Sequence, residues 1–197
     1  SIAEQQGVPY DTRNKIEVLN DLIDSGINAY PLANPAKFIG TNGFNTSKGK
    51  IFPLGGISNI TKIISNESGY YPVIETDEHG FNNPKGLYIE NKVDIILIGD
   101  SFAEGYSVHS NENISAVLRQ MEFNSISFGK GGIGPLAELA ILKEYAKPLK
   151  PRIVLWLYYV NDFINLEDEM KSPILKKYLY EDGYSQNLIL RQEEIDD

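Results

Sequence analysis

Apolar positions along the chain follow two regimes, and the change falls near Asn91. Before it, one stretch carries a helical period: from about Thr12 to Ser25, the residues Ile16, Leu19, Leu22 and Ile23 share a face, and Gly26 supplies a stop. Between Tyr30 and Pro84 the chain is dense in Pro, Gly, Asn and Ser, and only short apolar pieces, Lys50 to Leu54 and Tyr70 to Ile74, have the length of strands. The prediction is an ordered, loop-rich extension with one helix over residues 1–90. Its aromatic and branched residues are too many for simple disorder.

After Asn91, strand and helix patterns alternate with short connections, as in α/β domains. Val93 to Gly99 (VDIILIG) and Ile153 to Tyr159 (IVLWLYY) are continuous apolar runs of the kind expected for parallel strands covered on both faces, and Asn124 to Phe128 (NSISF) is a weaker third. Between them, Ser110 is expected to cap a helix that carries Ile114, Val117, Leu118 and Met121 on one face. Gly134-Pro135 opens a second helix with Leu136, Leu139, Ala140 and Tyr145 inward, ending before Pro148. This β-α-β-α-β order predicts three adjacent parallel strands. Residues 91–197 are therefore read as an α/β domain, the start of a doubly wound parallel sheet of flavodoxin-like type. Beyond Asp162, Pro173 to Tyr180 reads as helix and no further buried strand follows, so the domain is expected to be cut short at Asp197.

Composition narrows the function classes. A net charge of -9 arises from scattered acids with no basic stripe, which argues against nucleic acid as a partner. No apolar run approaches the roughly eighteen residues of a membrane span. The absence of cysteine excludes disulfides and thiolate metal sites, and two isolated histidines form no ligand cluster, so neither metal nor cofactor is expected. The chain starts at Ser1 with no methionine or apolar leader, and either end can be a cut.

In an open parallel sheet, ligands bind at the carboxyl ends of the strands. Those ends carry Gly99-Asp100-Ser101-Phe102, then Gly129-Lys130-Gly131-Gly132-Ile133-Gly134, then Val160-Asn161-Asp162. Alone each has an ordinary reading: a turn serine, a turn glycine, and a helix cap for Asn161-Asp162, which for Asp162 is the favoured one. Asp100 is read as an acceptor that organises its own turn rather than as a catalytic acid. In this order, each after its strand, they resemble the first three sequence blocks of the SGNH (GDSL-like) hydrolases over roughly Asp77 to Asn165. Asp77 to Pro84 (DEHGFNNP) adds a likeness to bacterial members with an N-terminal extension, many of which act on acylated polysaccharides or envelope molecules.

The resemblance implies a serine esterase or acyltransferase working through a Ser101 acyl-enzyme. The oxyanion donors would be the N–H groups of Ser101 and Gly132 and the side-chain amide of Asn161. The implied partner is a small-molecule or carbohydrate ester, and the periplasm or exterior is favoured over the cytoplasm. Two departures stand out. Tyr159 occupies a position where the family usually has glycine, and the family's C-terminal Asp-x-x-His block is absent, leaving only His79 and His109. Both are read as ordinary polar loop residues, and the chain as given is expected to be inactive or nearly so. Two other readings compete. One is a non-catalytic module binding glycans through Tyr158, Tyr159, Tyr178, Tyr180 and Tyr184. The other is a dinucleotide-binding domain using the G-x-G-x-x-G match at Gly129 to Gly134, with Asp162 as its ribose-binding acid.

Overall fold

The computed structural model describes Gln5, Gly7, residues 9–31 and residues 34–197, so the reading of Ser1 as a processed start lies outside the described residues. The first helix, α1 (Lys15–Asp24), begins later than its apolar period suggests because Asn14 caps it: the Asn14 side chain accepts from the N–H groups of Ile16 and Glu17, and Glu17 returns a carboxylate to the Asn14 N–H at 2.7 Å. Gly26, at φ +87°, follows its last turn. The expected inward face is corrected by a rotation. Val18 is buried and Leu19 and Leu22 are half-buried, whereas Ile16 and Ile23 face solvent.

Short strands follow in chain order: β1 (Ala29–Pro31), then a 3-10 helix over Pro35–Thr41, the hairpin β2 (Phe44–Thr46) and β3 (Gly49–Ile51), β4 (Thr61–Ile63) and β5 (Val73–Glu75). β4 lies between β1, parallel to it, and β5, antiparallel. The second half runs β6 (Ile95–Ile98), α2 (Ser101–Glu104), α3 (Ile114–Gln120), β7 (Ser125–Ser127), α4 (Pro135–Ile141), β8 (Ile153–Trp156), α5 (Asp162–Glu169), α6 (Pro173–Tyr180) and α7 (Gln192–Asp196). Its sheet has the order β7-β6-β8 with both pairings parallel, in register at Ile95 with Ser125 on one side and Ile153 on the other. The architecture is α/β, and the strand that leads into Ser101 is the central one.

Three local expectations need correction. β8 forms an edge of the sheet, and Ile153 to Trp156 are 39–50% exposed rather than covered on both faces. Among the described residues nothing pairs with its outer side. α3 is capped by Asn113, whose side chain accepts from the Ala116 N–H, and not by Ser110. This cap sets a phase that buries Ser115 and Ala116, while Ile114, Val117 and Met121 point outward. The polar seam is coherent: Ser115 bonds Ser125 at 2.8 Å, and Arg119 donates to the Ser115 hydroxyl and to the Ser125 carbonyl. Finally, α4 does not stop short of Pro148. It continues as a π-turn over Leu142–Ala146 and a 3-10 turn over Lys147–Leu149, in whose first turn the missing proline N–H costs no bond.

The halves on either side of residue 90 share one core. Ile51, Phe52, Leu54 and Phe81 pack in the same cluster as Ile96, Ile126, Phe128 and Tyr145, joined by Tyr178, Leu188 and Ile195 from the end of the chain. The free edge of β7 is closed by a side chain: Asn83 donates to the Ser127 carbonyl and accepts from the Ser127 N–H, which replaces the bonds of a neighbouring strand. No helix of the described residues is long and apolar enough to cross a membrane.

Candidate active site

Each of the three parallel strands delivers one loop to the same edge of the sheet. β6 ends at Ile98, Gly99 follows, and Asp100 caps α2, accepting from the Phe102 N–H at 2.9 Å. Ser101 is the first residue of that short helix, half-buried, and its hydroxyl makes no hydrogen bond among the described residues. The loop after β7 is pressed against this helix. A Cβ at Gly129 would lie 2.1 Å from the Glu104 nitrogen, so only glycine permits the approach. Three residues on, Gly132 sits at φ +76°, a left-handed conformation that again favours glycine, and it is exposed. The loop after β8 brings Asn161, whose side-chain amide donates to the second Asp100 oxygen at 3.2 Å.

Asp100 therefore ties the turn that carries Ser101 to Asn161, organising the loop as an acceptor. Among the described residues, the N–H groups of Ser101 and Gly132 have no acceptor. Asn161 spends one amide hydrogen on Asp100 and retains another. Asp162 departs from its expected helix-cap role. It lies inside α5, with Asn161 at the cap position, and its carboxylate accepts from the Tyr159 N–H at 2.7 Å, closing the loop that presents Asn161. Tyr159 tilts its ring onto that of Phe102 with centroids 4.9 Å apart. Both rings are exposed and flank the Ser101–Asn161 pair in sequence.

Neither histidine is bonded to Ser101. His109 stacks on Tyr70 at 4.4 Å, and His79 lies edge-on to Tyr88 with its Nδ1 3.3 Å from the Gln192 side chain. Nor do the five tyrosines form one surface. Tyr158, Tyr159 and Tyr180 are exposed, but Tyr178 is buried and hands its hydroxyl to Glu144, and Tyr184 packs against it.

Two buried charge clusters have no signature in the sequence patterns. Lys62 of β4, Glu104 of α2 and Lys130 of the glycine loop are each at most 3% exposed. Lys62 Nζ stands 3.1 Å from Glu104 Oε1, and Glu104 Oε2 accepts the Gly131 N–H at 2.7 Å. Burial alone would raise the Glu104 carboxyl, but the charges of Lys62 and Lys130 and the Gly131 N–H hold it below its ordinary value. Lys130 caps the Gly80 carbonyl, and burial, helped by Lys62, pulls its ammonium down to about 7. The residue types are visible in the sequence, but an isolated Lys62 in a loop-rich stretch gives no sign of its partner.

The second cluster lies under the strand ends. Glu138 of α4 accepts from Trp156 Nε1 at 2.6 Å, and burial pushes its carboxyl up to about 8, with the charges of Asp162, Glu169 and Asp100 adding to the effect. Across pH 4.5 to 8 the folded protein thus holds a proton that the unfolded chain has lost, so stability falls as pH rises through this window. A glutamine in place of Glu138 would keep an acceptor for Trp156 without the charge. Glu138→Gln is expected to show a Tm advantage over wild type that is small at pH 5 and widens to several degrees at pH 9 in thermal melts. A constant difference across that range would contradict the assignment.

A cavity of about 390 Å³ opens beside Gly132, between the Pro35–Thr41 helix and α5, and is lined by Ala36, Ile39, Asn165, Asp168 and Lys171. On the other side of the loop, Glu169 accepts the N–H groups of Gly134, Leu136 and Ala137. Compared with known proteins, the chain matches no family model, no curated protein and no solved structure.

Proposed function

We propose that the chain carries the nucleophile and oxyanion half of a serine ester-processing site, with Ser101 forming the acyl-enzyme. In this reading the tetrahedral oxyanion is held by the N–H groups of Ser101 and Gly132 and by the Asn161 amide. The observation that carries the reading is the joining of Ser101 and Asn161 through Asp100, with the N–H groups of Ser101 and Gly132 left without an acceptor among the described residues. Such preorganised donors stabilise a developing negative charge without reorganising during the reaction. The parallel β7-β6-β8 order supports the finer reading of the α/β unit as the start of a doubly wound, flavodoxin-like sheet. The contacts of His79 with Gln192 and of His109 with Tyr70 do not favour either as the general base.

The substrate class fits an O-acylated molecule whose alcohol portion is hydroxylated, such as a carbohydrate or cell-envelope ester. The cavity beside Gly132 supports this, because Asn165 and the Asp168–Lys171 pair offer polar groups of both signs with no net charge. The dinucleotide reading is less well supported. The N–H groups of Lys130, Gly131 and Gly134 are already taken, those of Gly131 and Gly134 by carboxylates that would repel a diphosphate. The scattered tyrosines likewise give the glycan-binding module little surface.

The donor assignment is tested at Asn161. In the full-length protein, Asn161→Ala is expected to lower kcat for p-nitrophenyl acetate by about 10²- to 10³-fold, as loss of one oxyanion donor does elsewhere. An unchanged kcat would remove Asn161 from the site.

A further inference from the structure

Gly132 is only as good an oxyanion donor as its peptide plane is fixed, and a residue of the N-terminal half fixes it. The Asn34 side chain donates to the carbonyl oxygen of Gly131, which belongs to the same peptide group as the Gly132 N–H. That group is planar and trans, so the N–H points away from the carbonyl. A bond that holds the oxygen toward Asn34 therefore turns the Gly132 N–H to the opposite side of the loop. The other end of the Gly131 residue is held as firmly, since its N–H is bound to the buried Glu104 carboxylate, three residues after Ser101 on the same helix.

Asn34 is itself anchored. Its side-chain oxygen accepts from the Ala36 N–H at 3.0 Å and caps the Pro35–Thr41 helix, while Ala36 packs 3.2 Å from where a Gly132 Cβ would stand. The amide is divided between two tasks, with its oxygen serving the helix and its nitrogen serving the loop. Gly132 itself is a flexible residue at an exposed turn and has no side chain with which to hold its own orientation.

We infer that Asn34 is a positioning residue that aims the Gly132 N–H at the oxyanion, which makes the N-terminal half a working part of the site. The inference rests on the ester-processing reading. The positioning role can be separated from a merely structural cap because Asp and Ser also cap helices well. An aspartate in place of Asn34 could accept from Ala36 but could not donate to Gly131, and a serine would be too short to reach it.

The test compares wild type, Asn34→Asp, Asn34→Ser and Ser101→Ala in the full-length protein, with p-nitrophenyl acetate as substrate and amide NMR of Gly132. Both Asn34 variants are expected to melt within a few degrees of wild type. Their kcat is expected to fall by about ten- to a hundredfold, less than outright loss of a donor, with KM within about twofold, and their Gly132 amide resonance to move. Wild-type kcat with an unmoved Gly132 resonance in both variants would overturn the inference. Turnover that survives Ser101→Ala would instead overturn the ester reading, and the Gly132 resonance would then decide alone whether Asn34 holds this peptide.

Discussion

Ser101→Ala is expected to reduce ester turnover by the full-length protein by about three to six decades while leaving its thermal stability within about 1 kcal/mol of wild type. The two halves of this expectation have separate causes. Turnover is expected to fall because Ser101 is the proposed attacking group, on the turn that the Asp100 cap and the Asn161 amide join. Stability is kept because the Ser101 hydroxyl makes no hydrogen bond among the described residues and its side chain is only half-buried. Some rate above background is expected to persist, since oxyanion donors and binding retain part of the catalysis when a nucleophile is removed. Equal turnover in the two proteins, measured with p-nitrophenyl acetate, would show that the chemistry lies elsewhere.

The largest expected effect on stability is at Glu104. Glu104→Ala leaves Lys62 buried without its counter-charge and the Gly131 N–H without its acceptor. Breaking a buried ion pair from one side costs about 3–5 kcal/mol, because the surviving charge stays desolvated. For a chain of this size the loss corresponds to a Tm lower by roughly 10 °C. Removing both charges should be gentler: Glu104→Leu with Lys62→Met replaces the pair by apolar groups of similar size and is expected to recover much of the loss. A single variant as stable as wild type in urea titration would show that this cluster does not hold the two halves together.

The sequence patterns that can be read directly are those with local causes. The continuous apolar runs of β6 and β8, the strand-terminal positions of Ser101 and Asn161, and the helix over Pro173–Tyr180 all follow from neighbours within a few residues. Helix phase is less legible. The apolar stripe of Ile114, Val117 and Met121 looks like an inward face, yet Asn113 and the Ser115–Ser125–Arg119 seam turn it outward. An apolar period cannot reveal that a polar seam supplies the contact. Long-range partners are not legible at all. Asn34 and Gly131 are 97 residues apart, and Lys62 and Glu104 are 42 apart, so no spacing rule connects them.

β8 shows the same division between local pattern and context. Ile153 to Trp156 has the composition of a covered strand, and its pairing with β6 agrees with that, but its faces are open in this chain. Burial depends on what packs against a strand, and apolarity alone does not supply the neighbour.

Ser101, as a proposed nucleophile served by preformed oxyanion donors, should be open to covalent labelling. This is tested most directly by treating the full-length protein with an alkyl fluorophosphonate and locating the adduct by peptide mass spectrometry. A single phosphonyl group on Ser101, formed faster than in Asn161→Ala and absent from Ser101→Ala, is expected. An unmodified Ser101, or labelling that proceeds equally in the Ser101→Ala protein, would contradict it.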